Sequence, residues 1–74
     1  MTKPSFRAWL RAQRGREDMV GDLARDALAD RELPRRLTPA RLRARMVELR
    51  ACEDALEALS QAAREFAERR PTPN

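Results

Sequence analysis

In the stretch DMVGDLARDALAD, residues 18 to 30, an aspartate stands at every fourth position: Asp18, Asp22, Asp26 and Asp30. Carboxylates can ligate metal ions, exchange protons with a substrate or hold a basic partner. A spacing of four on a helix sets them along one ridge, a turn apart, where like charges repel by a few tenths of a kcal/mol per pair. Asp18 has a structural use as a helix cap, and Asp22 lies near the positive end of the helix that follows. Metal binding or acid–base chemistry would need the carboxylates to converge in a concave, partly dry pocket. A single ridge offers no such convergence. Calcium loops need ligands at alternate positions with a glycine at the turn, and that spacing is missing. The ladder therefore reads as a solvated face with arginine partners from other helices, or as a docking face for a basic partner.

Other chemistries fail for want of residues. There is no histidine, no tyrosine and one cysteine, Cys52, so an internal disulfide, a Cys/His metal set and serine–histidine or cysteine–histidine catalysis are all excluded. Cys52 reads as an ordinary small thiol, buried or half-buried. No cofactor is expected, and the expected class is non-enzymatic.

Charge is the second lead. The chain carries fifteen arginines against one lysine and a formal charge of +4. A GC-rich coding sequence would produce the same arginine and alanine excess, so basicity alone is a weak pointer. Its distribution says more: residues 1–16 hold five basic groups and no acid, residues 17–32 sum to −4, residues 33–50 to +5 and residues 51–74 to −2. Lys3, Arg7, Arg11 and Arg14 make one basic strip, and Arg36, Arg41, Arg43, Arg45 and Arg50 a second basic face. Exposed ion pairs contribute only about 0–1 kcal/mol each, a poor reason for such segregation. The primary expectation is a protein-interaction module whose partner the sequence does not name, using the acidic face and the basic faces. The alternative is a nucleic-acid-associated module gripping phosphate through the second arginine set. Against that alternative, residues 31–37 are long for a helix-turn-helix connection and no aromatic stands among the arginines to stack a base. Oppositely charged faces would also permit head-to-tail self-association. No run approaches the roughly 18 apolar residues of a membrane span, and the N-terminus lacks a secretory h-region, so no membrane partner and a cytoplasmic location are expected.

These residues must be positioned by few elements. Seventy-four residues make one domain, expected over 1–70 with a disordered tail at 71–74, and such a chain buries only about 60% of its unfolded surface. Apolar residues reach 42%, but thirteen are alanine and only Phe6, Trp9 and Phe66 are aromatic. Close contact through small side chains has to carry the packing. Punctuation predicts helices at about 6–14, 19–30, 39–51 and 54–69, making an all-α bundle. Ser5 caps the first and Gly15 ends it in the left-handed conformation; Asp18 caps the second; Leu33-Pro34 forces an extended link; Thr38-Pro39 opens the third. The expected core is Phe6, Trp9, Leu10, Val20, Leu23, Leu28, Leu42, Met46, Leu49, Leu56, Leu59 and Phe66.

Beyond Leu49 two readings stay open. Leu42, Leu49, Leu56 and Ala63 recur every seven residues with no Gly or Pro before Pro71, as one long helix over 39–69 able to form a coiled coil would require. A break near Cys52 to Asp54, with Asp54 as cap, is preferred, because a rod of about 46 Å would leave the first two helices little to wrap around.

The arrangement of particular residues resembles the YozE-like family of small bacterial proteins, whose fold is similar to the sterile alpha motif (SAM). The likeness rests on Ser5-Phe6 with Trp9-Leu10, on Asp18-Met19-Val20-Gly21-Asp22-Leu23-Ala24 followed by Asp26 and Asp30, and on Leu33-Pro34 where the family usually has Phe-Pro. It covers about residues 5 to 68 and is most specific in the first half. Ala63 stands where the family's last helix usually carries a bulky aromatic, and Phe66 where a tyrosine is common. The resemblance implies an orthogonal bundle of four short helices and no established activity. SAM-like domains are commonly interaction modules, an analogy from fold alone.

Overall fold

Three helices start at a side chain that accepts from a free backbone N–H. Ser5, Asp18 and Thr38 accept from Ala8, Gly21 and Arg41 at 3.1, 3.0 and 3.1 Å, and they open α1 (Phe6–Ala12), α2 (Met19–Leu28) and α3 (Pro39–Glu48). The fourth, α4 (Glu53–Glu68), begins at Cys52, which makes no side-chain cap bond. Asp54 is therefore not the cap; it sits in the first turn with Glu53, where the helix dipole favours acidic groups. The computed structural model describes residues 4–69, so Lys3 of the basic strip and the expected tail at 71–74 lie outside the described residues.

The chain divides at the preferred place, for a reason the punctuation did not supply. Arg50 adopts φ 58°, the left-handed region, although it is not glycine. Its N–H donates to the Val47 carbonyl at 3.0 Å and the next N–H, of Ala51, donates to Met46 at 2.9 Å. These two bonds close a Schellman turn that satisfies the last carbonyls of α3 and stops it at Glu48, short of the expected residue 51. The expected left-handed stop at Gly15 is absent: no glycine has positive φ. There Gln13, Arg14 and Arg16 donate to Leu10, Arg11 and Gln13, so three short right-handed turns end α1 without one. A left-handed non-glycine residue costs about 1 kcal/mol. Arg50→Gly should therefore raise the melting temperature by about 4–8 °C in a thermal melt followed by circular dichroism. A melting point at or below the parent's would mean that the Arg50 side chain contributes more than its backbone costs.

Packing runs mainly between α2 and α4, with α1 against both and α3 against α4. The result is a compact all-helical globule with no strand among the described residues. Small side chains carry much of the contact, as the alanine content requires: Ala24, Ala27, Ala58 and Ala62 are all buried. Phe6, Leu10, Val20, Leu23, Leu42, Met46 and Leu59 are buried with them. Trp9, Leu28, Leu56 and Phe66 are half-buried against that core. Phe6, Trp9 and Phe66 join α1 to α4 as an aromatic trio with ring centroids 5.1–5.9 Å apart. Leu49 departs from the expected core: it is 56% exposed, because the Schellman turn carries it off the inward side of α3. Two unexpected residues take core places, Leu33 and Leu37, which pin the irregular link between α2 and α3.

Candidate functional site

The aspartate ladder borders an apolar groove. Along α2, Met19, Leu23 and Ala27 are spaced by four, and Asp22 and Asp26 make a second row about 60° away around the helix axis; α2 ends at Leu28, short of the expected residue 30, so Asp30 lies past its C-cap, Ala29. The apolar row faces Leu42 and Met46 of α3 and Ala55 and Ala58 of α4 across a cleft of about 640 Å³. Leu49 and Ala51 line it at the α3–α4 turn, and Asp54 adds a carboxylate from the start of α4. That volume falls within the range of about 300–1,000 Å³ typical of ligand sites.

The four ladder carboxylates differ in what they have left to offer. Asp18 caps α2 and also accepts from the Arg16 guanidinium at 2.7 Å. Asp22 pairs with Arg25 one turn on. Asp30 is held from another helix: Nε and Nη2 of Arg45 donate to its two oxygens at 2.7 and 3.2 Å, with both side chains largely covered. Asp26 is exposed and, among the described residues, has no ion pair or hydrogen-bond donor. The Arg45 bond, then the backbone N–H of Glu32, holds the Asp30 carboxyl below the usual carboxylate range. Arg16, then the N–H of Gly21, does the same for Asp18.

The second basic set does not gather on one face. Arg41 and Arg43 project about 160° apart around α3. Arg45 is occupied by Asp30 and by Glu48 at 2.8 Å, and its pKa is raised, first by Asp30. Arg41 donates to the Arg36 carbonyl at 3.1 Å. Arg41 and Arg45 share a shallow depression with Glu32 and Glu48, so a phosphate there would meet two carboxylates as well as two guanidinium groups. Arg36, Arg43 and Arg50 are exposed. In the α1 strip, Arg7 donates to the Pro34 carbonyl at 3.2 Å and Arg14 to Arg11 at 3.1 Å, while Arg11 is exposed. Cys52 is exposed at the α3–α4 turn, not buried or half-buried as expected.

One structural cation escaped the sequence reading. Arg16 donates to Glu65 at 2.7 and 3.2 Å, to Asp18 and to Gln13, tying the α1–α2 link to the far end of α4. Glu65 is further fixed by the Gln61 amide at 3.1 Å, and its carboxyl is held low by Arg16 first and Gln61 second. Nothing in the local sequence marks a pair 49 residues apart. The groove was missed for the same reason, since its walls come from three helices. The one available signal was the row Met19, Leu23, Ala27 beside the aspartates.

Among the described residues, no group of three or more His, Cys, Asp or Glu side chains is placed to hold a metal ion, and no helix is long and apolar enough to cross a membrane. Comparison with protein-family models, curated proteins and solved structures returned no match. The class that the fold and the site define is thus an all-α domain with an acid-rimmed apolar groove.

Proposed function

We propose that this chain is a non-catalytic protein-interaction module that receives its partner in the groove between α2, α3 and α4. The observation that carries the reading is the meeting of an apolar floor, Met19, Leu23, Leu42 and Met46, with charge at its rim, Asp26 and Asp54, that has no ion pair among the described residues. A solvated face needs no cleft behind it. A carboxylate could act as base or nucleophile in a partly dry pocket, but here Asp22, Asp26 and Asp54 are exposed at the rim and Asp30 is bound by Arg45. A SAM-like relationship is compatible with this role. The nucleic-acid alternative gains no comparable support, because Arg45 is spent on Asp30 and Glu48 and the remaining arginines diverge.

Two binding measurements on one set of variants test the proposal. A partner recovered by the parent chain from its own cell extract should be lost by Asp22→Lys/Asp26→Lys with helicity unchanged, and retained by Arg41→Glu/Arg43→Glu. Duplex DNA titrated at two salt concentrations should bind weakly and without dependence on Arg41 and Arg43. Retention of the partner by the aspartate variant, or tight salt-sensitive DNA binding lost with the arginines, overturns it.

A further inference from the structure

Building on the groove reading above, we propose that the occupant is a short amphipathic helix of a partner protein, with large apolar side chains on one face and lysine or arginine along both flanks. Four features select that chemistry. The groove is walled by helices and the described residues contain no strand, so there is no sheet edge to which an extended peptide could add, and its lining holds no aromatic to seat a polyproline segment; an amphipathic helix laid into an interhelical cleft is the mode that fits.

The floor suits side chains rather than one rigid ligand. Met19 and Met46 lie in it, and unbranched thioethers adjust to irregular apolar shapes. Leu49, 56% exposed, continues this apolar surface out to the lip. Exposed large apolar side chains next to an apolar cleft extend the area a partner can cover.

Charge fixes the flanks. The chain is net basic, yet Asp22 and Asp26 line one wall and Asp54 the other. Asp22 and Asp26 are separated by about 6 Å of helix rise. Lysines spaced by four on a partner helix rise by the same amount, so both pairs meet in register. Asp22 already pairs with Arg25, so Asp26, which has no ion pair among the described residues, gains most from a partner's cation. Among the described residues a second copy of this chain offers no free helix of that kind, because the apolar sides of its helices, with Leu10, Val20, Leu42 and Leu59, are buried in its own core.

Three synthetic peptides titrated into the full chain by calorimetry, with backbone-amide NMR to locate the contact, decide the matter. One carries leucines at helical spacing with lysines on both flanks, the second replaces the lysines by glutamates, and the third keeps the lysines but replaces the leucines by serines. The lysine-flanked peptide should bind at least about tenfold more tightly than either other at low salt, and its lead over the glutamate peptide should shrink as salt rises. The shifts should map to Met19, Leu23, Met46 and Leu49. Asp26→Lys/Asp54→Lys should reverse the preference between the lysine and glutamate peptides. Leu49→Ser should weaken both without changing the melting temperature.

Equal binding of the lysine and glutamate peptides would overturn the charge assignment and leave the groove reading standing. Equal binding of the serine and leucine peptides would overturn the groove reading itself. So would the absence of binding by all three, or a concentration-dependent dimer in sedimentation with the same residues shifted.

Discussion

Gly21→Ala should destabilise the domain by about 3 kcal/mol or more, enough to leave little folded protein at physiological temperature. Helix propensity alone points the other way, since alanine is better than glycine inside a helix by about 1 kcal/mol. Geometry reverses the sign. A Cβ on Gly21 would lie 2.0 Å from the Arg16 carbonyl oxygen and 2.7 Å from its carbon, contacts no relaxed structure holds. The obstacle is backbone, and it is anchored: the Arg16 N–H donates to Gln13, its carbonyl accepts from Arg25, and its guanidinium grips Glu65 and Asp18. Moving the link away would therefore pull on α4 as well as α1. Gly15→Ala is the control, because nothing lies within 4 Å of a Cβ there and its φ is not positive. That variant should be neutral or gain a few tenths of a kcal/mol. Urea melts of both, compared at the midpoint, give the contrast; similar midpoints would mean that the Arg16 link yields at little cost.

The same residue shows how far a linear sequence can be read. Three helix starts were legible because they are written locally, Ser5, Asp18 and Thr38 each accepting the N–H three residues on; the fourth was not, because α4 opens at Cys52 with no side-chain cap bond. Helix ends were not, because glycine is only the cheapest residue for a left-handed turn. Gly15 does not make one and Arg50 does, held there by bonds back to Val47 and Met46. The core was legible where periodicity spoke and silent in the link, where Leu33 and Leu37 have no helical spacing to betray them. Of the candidate site, the aspartate ridge could be found but its partners could not. Arg45 reaches Asp30 only after Leu33 and Leu37 have folded the link back. The groove needs one step more, the docking of α4 across α2 and α3, and that step brings together residues far apart in the chain, such as Leu23 and Ala58 on its walls.

Leu42→Ala and Leu49→Ala should differ sharply, although the two leucines stand one heptad apart and a repeat pattern treats them as equivalent. Leu42 is 1% exposed and touches the core and the groove floor together. Its truncation leaves a cavity that closely packed alanines cannot fill by relaxing, at a cost of about 2–5 kcal/mol. Leu49 is 56% exposed, and loss of its side chain should change stability by no more than about 0.5 kcal/mol. The difference comes from Arg50: a continuous helix would have kept position 49 on the same inward stripe as 42, whereas the left-handed residue ends the helix and leaves Leu49 at the lip. Urea midpoints of the two variants measure it directly. Equal losses would imply that α3 runs on past Glu48 in solution, and the apolar lip of the groove would vanish with it. The expected inequality makes Leu49 the residue at which binding can be changed while the fold stays intact. Leu42, whose packing and groove contacts are inseparable, cannot report on binding alone.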